Sequence, residues 1–265
     1  MFSGFIKKEQ LDSSKLVLNQ PLRKPVEPHA FQPEKDYEAH RSDIQQLQLW
    51  AGVLVVLPVF LQAPWVRINP LSACLFTVVL LGGGIALALI GKRGWVSVGE
   101  LLVGVSGSWL AGCLFWGWLR AQPCWHLPVE SLVLPIALIG LSSRWRVSSS
   151  FYLASLVGTA CTDLMMVLTG VMNQWPAVVE APLQQSPQLL HETAQQLLHP
   201  QPLLALISAA ALIVFLAQVM QQRVRLASQW RSTWAVASSV LRTTVLIDGL
   251  FLFAALINPA LSGLI

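Results

Sequence analysis

Seven apolar blocks alternate with short polar segments along this chain, at residues 47–66, 71–91, 96–119, 127–141, 147–172, 202–220 and 234–257. An apolar stretch of about 20 residues is long enough to cross the hydrocarbon core of a bilayer as a helix. The pattern therefore predicts an all-α membrane protein, a bundle of about seven transmembrane helices. The block at 127–141 is the shortest and holds Glu130 and Pro135, so a buried half-helix is the alternative there. Pro58 and Pro135 predict kinks in the first and fourth spans.

Composition agrees with this class. The chain is 54% hydrophobic and 11% charged, where soluble domains carry about 25% charged residues. The placement of charge adds orientation. Seven basic residues precede residue 47, and Lys92, Arg93, Arg144, Arg146, Arg223, Arg225 and Arg231 fill the loops after the second, fourth and sixth blocks. Arg67 and Arg120 alone fall in the alternate loops. The positive-inside rule then predicts a cytoplasmic N-terminus and a C-terminus outside or in a lumen. Tryptophans mark the block ends, Trp109 excepted, as expected of rings that favour the headgroup level.

Residues 1–46 are of another kind, with seven basic and seven acidic residues and little apolar periodicity. They read as a charged, largely disordered cytoplasmic tail, distinct from the polytopic domain at 47–265. The segment lacks the apolar h-region of a signal peptide, so the first span is expected to serve as the targeting signal. The loop at 173–201 has no Lys or Arg. Within it, residues 187–199 predict a short amphipathic helix, with Leu189, Leu190, Thr193, Leu197 and Leu198 on one face and Gln188, His191, Glu192 and Gln195 on the other. It is expected to lie on the outer membrane surface, with partner docking as the alternative.

The residues that call for explanation lie inside the apolar blocks. Glu100, Glu130, Asp163 and Asp248 are acids there, and Arg242 is a base. Charge near the bilayer centre costs about 2.5–3.5 kcal/mol on insertion scales, so these residues are functional candidates or buried partners. Glu100 and Glu130 stand near block ends, where a structural role is expected. Asp163 ends a polar stripe of Ser148, Tyr152, Ser155, Thr159 and Thr162 on one helical face. Such a stripe lines a wet path or makes interhelical hydrogen bonds. Arg242 and Asp248 are six residues apart, too far round the helix to pair with each other. Arg242 is therefore expected opposite an acid of a neighbouring span, with Asp163, Glu130 and Asp248 as the candidates.

Small residues recur every four positions at Gly104, Ser108 and Gly112, the spacing that lets a second backbone approach closely. Gly82, Gly83, Gly84 and Gly158 have the same potential. Cys74, Cys113, Cys124 and Cys161 include no CxxC, which excludes a zinc ribbon or thioredoxin-like motif. They are expected to be free, with a Cys113–Cys124 disulfide as the alternative. Gly104-Val105-Ser106-Gly107 is similar to the nucleophile segment of rhomboid proteases. That chemistry needs an embedded histidine as base, and none of His29, His40, His126, His191 and His199 is mid-span. No catalytic residue, metal site or cofactor is expected, and no nucleic-acid partner.

Gly158-Thr159-Ala160-Cys161-Thr162-Asp163 and Leu246-Ile247-Asp248-Gly249-Leu250-Phe251 resemble a cyanobacterial family of uncharacterised multi-pass integral membrane proteins. The resemblance covers the membrane region and not the tail. It implies a plasma or thylakoid membrane and brings no reaction, ligand or catalytic residue. The residues themselves favour an ion or small-solute transporter or channel subunit that uses the intramembrane acids and Arg242, with Thr159 and Thr162 beside them. An accessory or assembly factor of a larger, photosynthetic membrane complex is the alternative, and an intramembrane enzyme is third. The expected partners are the lipid bilayer and a membrane complex or a second copy of the chain.

Overall fold

The computed structural model describes residues 33–182, 184–226 and 229–259. Two compact units divide the chain, Met1–Ala39 and His40–Ile265, and the second holds all the candidate spans. The helices of the described residues follow in order as α1 (Pro33–Leu57), α2 (Ala63–Ile68), α3 (Pro70–Ile90), α4 (Arg93–Leu114), α5 (His126–Glu130), α6 (Leu134–Gly140), α7 (Arg146–Leu168), α8 (Val171–Glu180), α9 (Ser186–Gln196), α10 (Pro200–Leu226) and α11 (Arg231–Ile257). Among the described residues there is no strand. Seven helical runs among the described residues are long and apolar enough to cross a membrane: Arg41–Ile68, Pro70–Ile90, Gly94–Leu119, Pro123–Gly140, Arg146–Leu168, Pro200–Leu226 and Arg231–Ile257. This is an all-α, multi-pass integral membrane protein.

Proline explains where the helices change type. Pro58 lacks the N–H that would close on Leu54, and the chain widens into a π-helical turn over Pro58–Gln62, closed by the Ala63 N–H on the Pro58 carbonyl. Pro135 likewise leaves the Ser131 carbonyl without its α-helical donor. That carbonyl accepts from the Leu134 N–H instead, in a 3-10 turn at Ser131–Val133. The fourth span is thus assembled from pieces. A 3-10 turn at Pro123–Trp125 starts it earlier than the apolar block suggests. Residues 1–32 of the expected tail lie outside the described residues, and α1 already begins at Pro33.

Close backbone contact holds the central helices. A Cβ on Gly99 of α4 would stand 2.5 Å from the Ala88 nitrogen of α3, and one on Gly104 would stand 2.5 Å from the Ser148 carbonyl oxygen of α7. Gly158 of α7 gives the same room to Thr244 of α11. Gly84 packs against α4, whereas Gly82 and Gly83 face open space. Gly112 abuts the Gln62 amide, and Ser108 is half-buried with its hydroxyl oxygen shielded and unpaired. Around these contacts Leu47, Ala51 and Leu54 of α1 join Leu101, Phe151, Val236 and Val240 in one core. The outward faces of α3 and α10 expose Leu75, Val78, Leu204 and Phe215, as suits helices solvated by lipid.

A second cluster surrounds Trp109, whose ring is buried and donates to the Ala73 carbonyl at 2.9 Å. Gln62, projected inward by the π turn, donates to the Trp109 carbonyl and to Cys113 Sγ. All four cysteines are free, with Cys113 buried and Cys124 exposed. After α7, Gly170 turns the chain at φ +79°, a conformation that suits glycine, and α8 follows. The amphipathic helix of this region is α9, and it does more than lie on a surface. Leu190 and Ala194 pack with Val178 of α8 against Ala255, Leu252 and Leu256 of α11. Leu198, expected on that apolar face, is exposed beyond the helix end.

Candidate intramembrane polar site

One histidine joins the acids. His126 opens α5, and its Nδ1 lies 2.8 Å from Asp163 Oδ1 on α7. It is the one ion pair among the described residues. Asp163 stands about 26 Å along α7 from Arg146, so the pair sits toward the end of the bundle remote from the Arg144 and Arg146 loop. His126 lies inside the fourth span because the 3-10 turn at Pro123–Trp125 brings it into the helical run. It stands near the start of that run and not in its middle, and the other four histidines lie outside the candidate spans. The Phe115 ring covers the imidazole at 4.3 Å between centroids. The side chains of His126 and Asp163 remain 22% and 11% exposed. Nε2 of His126 has no hydrogen-bond partner among the described residues.

Glu130 completes the group. It is one helical turn beyond His126, so the two share a face of the fourth span. It is buried, and the charges acting on it are those of His126 and Asp163. The Tyr152 hydroxyl donates to its main-chain carbonyl, while its carboxyl makes no hydrogen bond to a described residue. Beside Asp163, Thr162 Oγ1 donates to Asp248 Oδ2 of α11 at 2.8 Å, with the Gly158 carbonyl also within reach at 3.2 Å. Asp248 is exposed on the bundle.

The remaining candidates stand elsewhere. Glu100 is on α4 near the opposite end, where Arg144 and Arg146 are the charges acting on it, and its main-chain carbonyl accepts from Ser148. Thr159 is half-buried and makes no hydrogen bond through its side chain to a described residue. Arg242 meets none of the acids expected opposite it. Asp163 is taken by His126 and Asp248 by Thr162, and Arg242 lies on the exposed face of α11 that also carries Leu246 and Phe253. Ser106 donates its hydroxyl to the Val103 carbonyl. His191 donates through Nδ1 to the Ala255 carbonyl, leaving Nε2 to accept from Gln195. No group of three His, Cys, Asp or Glu side chains among the described residues is placed to hold a metal ion.

What sequence reasoning missed is His126, together with Gly99 and Gln62. The available signal for His126 was its spacing of four from Glu130, which places an imidazole and a carboxyl on one helical face. No curated protein and no solved structure matches this chain. Residues 51–256 match the family described as protein of unknown function (DUF3120). That match covers most of the chain and nearly all of the seven-span region just described, and the protein belongs to this family.

Proposed function

We propose that the protein is a transporter subunit that passes protons through the membrane by way of Glu130, His126 and Asp163. One observation carries this reading: the imidazole of His126 pairs with Asp163 inside the spans, and a second, buried carboxyl, that of Glu130, belongs to a residue one helical turn from it. A structural ion pair needs one acid for one base. The second acid must take up a proton or a cation to be neutral in a medium where charge is costly. An imidazole held by one nitrogen, with the other free and partly exposed, is suited to pass a proton on. Next to Asp163 in the chain, Thr162 pairs with Asp248 at the surface of the bundle and offers a second polar pair at this level of α7.

The experiment is proton flux into liposomes holding the purified protein, followed with an enclosed pH-sensitive dye. Glu130→Gln and Asp163→Asn are expected to lower the flux at least about a hundredfold with the fold retained, the low end for a positioned acid–base group. Undiminished flux in both variants, or none in the native protein, removes the reading. A role in assembling a larger membrane complex is the second reading, supported by Arg242. A mid-span arginine on an exposed face asks for an acid from outside this chain. An inactive chain that purifies in a stoichiometric complex lost on Arg242→Leu would favour it.

A further inference from the structure

A cavity of about 470 Å³ opens between α1, α4 and α11, at the end of the bundle that carries the arginine loops. Asp43, Trp50, Gly94, Ser97, Arg231 and Ser232 line it. Three features make it a place for an oxyanion. Arg231 is partly buried, makes no hydrogen bond or ion pair with a described residue, and has its Nε shut off from solvent without an acceptor. Shielding a guanidinium N–H without an acceptor is costly, and a ligand oxygen on the cavity side of the same guanidinium would offset that cost. The first turns of two helices also reach the cavity, α4 at Gly94 and α11 at Arg231 and Ser232, and neither helix has a side-chain cap. Their free N–H groups add donors directed at an anion. Trp50, half-exposed at the same cavity, is the ring type that sits at headgroup depth.

We propose that this cavity binds a phosphate oxyanion, the group presented by an acidic phospholipid headgroup, with Arg231 as its principal donor. The fork of a guanidinium matches two phosphate oxygens at once. Ser97 and Ser232 supply hydroxyls to the remaining oxygens, and Ile44, Leu47 and Val98 give the start of an acyl chain an apolar wall. Asp43 works against the site. It is exposed and lines the same cavity, so its charge repels the ligand.

The test is native mass spectrometry of the full chain, purified in non-ionic detergent, with phosphatidylglycerol or phosphatidylcholine added in turn. A parallel thermal melt uses inorganic phosphate alone. Phosphatidylglycerol is expected to be retained over phosphatidylcholine, with the preference falling about tenfold in Arg231→Gln and rising roughly twofold in Asp43→Asn. That result assigns the site to the lipid headgroup. Stabilisation by inorganic phosphate without any lipid preference, lost in the same variant, assigns it to soluble phosphate. Equal retention of both lipids with no response to phosphate overturns the proposal. If Arg231→Gln does not fold, Arg231→Lys takes its place with an expected fall of about threefold. No change in either Arg231→Lys or Asp43→Asn overturns the proposal as well.

Discussion

Between Ser148 and Tyr152, the hydroxyls of α7 donate to main-chain carbonyls of other helices: Ser148 to Glu100, Ser150 to Thr233 and Tyr152 to Glu130. Between Thr162 and Asp163, α7 meets its neighbours side chain to side chain, at Asp248 and His126. Both regions belong to one helix, yet their chemistry differs. A hydroxyl on a carbonyl is satisfied in a single arrangement and carries no charge. A carboxyl on an imidazole has more than one protonation state and retains some solvent access. The first half of α7 binds helices together, and the second half supplies groups able to exchange a proton.

Substitutions sharpen this comparison, beginning with the backbone contact under the first half. Gly104→Leu places a side chain where even a Cβ stands 2.5 Å from the Ser148 carbonyl oxygen. Overpacking of this kind costs about 1–3 kcal/mol or more, and the upper end is expected because the obstacle is main chain. Thermal unfolding in detergent reads it, and a variant as stable as the native protein would show that α4 and α7 do not touch there. Next comes His126→Ala. Removing one partner of a buried pair costs about 3–5 kcal/mol, and the 22% exposure of the imidazole reduces the expectation to about 2 kcal/mol. Asp163→Asn in the same background should recover part of that loss, since it removes the stranded charge. A double-mutant cycle without coupling would dissolve the pair.

The smallest effect belongs to Ser150→Ala. Interhelical hydrogen bonds inside membranes average about 0.6 kcal/mol, and a loss near that value is expected, with proton flux unchanged. A flux change as large as that of Asp163→Asn would erase the distinction between the two halves of α7.

Pro58, Pro123 and Pro135 show how far local chemistry reaches. Each lacks an N–H, and each marks a place where the helix type changes or begins. The amphipathic pattern of 187–199 likewise anticipated α9, although the surface it covers is the end of α11. Glu100 and Glu130 looked equivalent as acids near block ends, and the fold separates them. One has Arg144 and Arg146 as its charged neighbours, and the other has His126 and Asp163.

The chain by itself determined the number and class of its spans, because apolar length and the intolerance of lipid for unpaired backbone are local requirements that only helices meet. It also determined which residues are expensive to place there. The tertiary structure alone decided the partners. His126 and Asp163 are separated by 37 positions, and their meeting depends on how α5 and α7 are rotated and set in height. Arg242 illustrates the converse, since its azimuth on α11 turned it outward, away from every acid within the bundle. Rotation and height follow from close packing at glycines such as Gly99 and Gly104, and the geometry of that packing exists only once two helices are together.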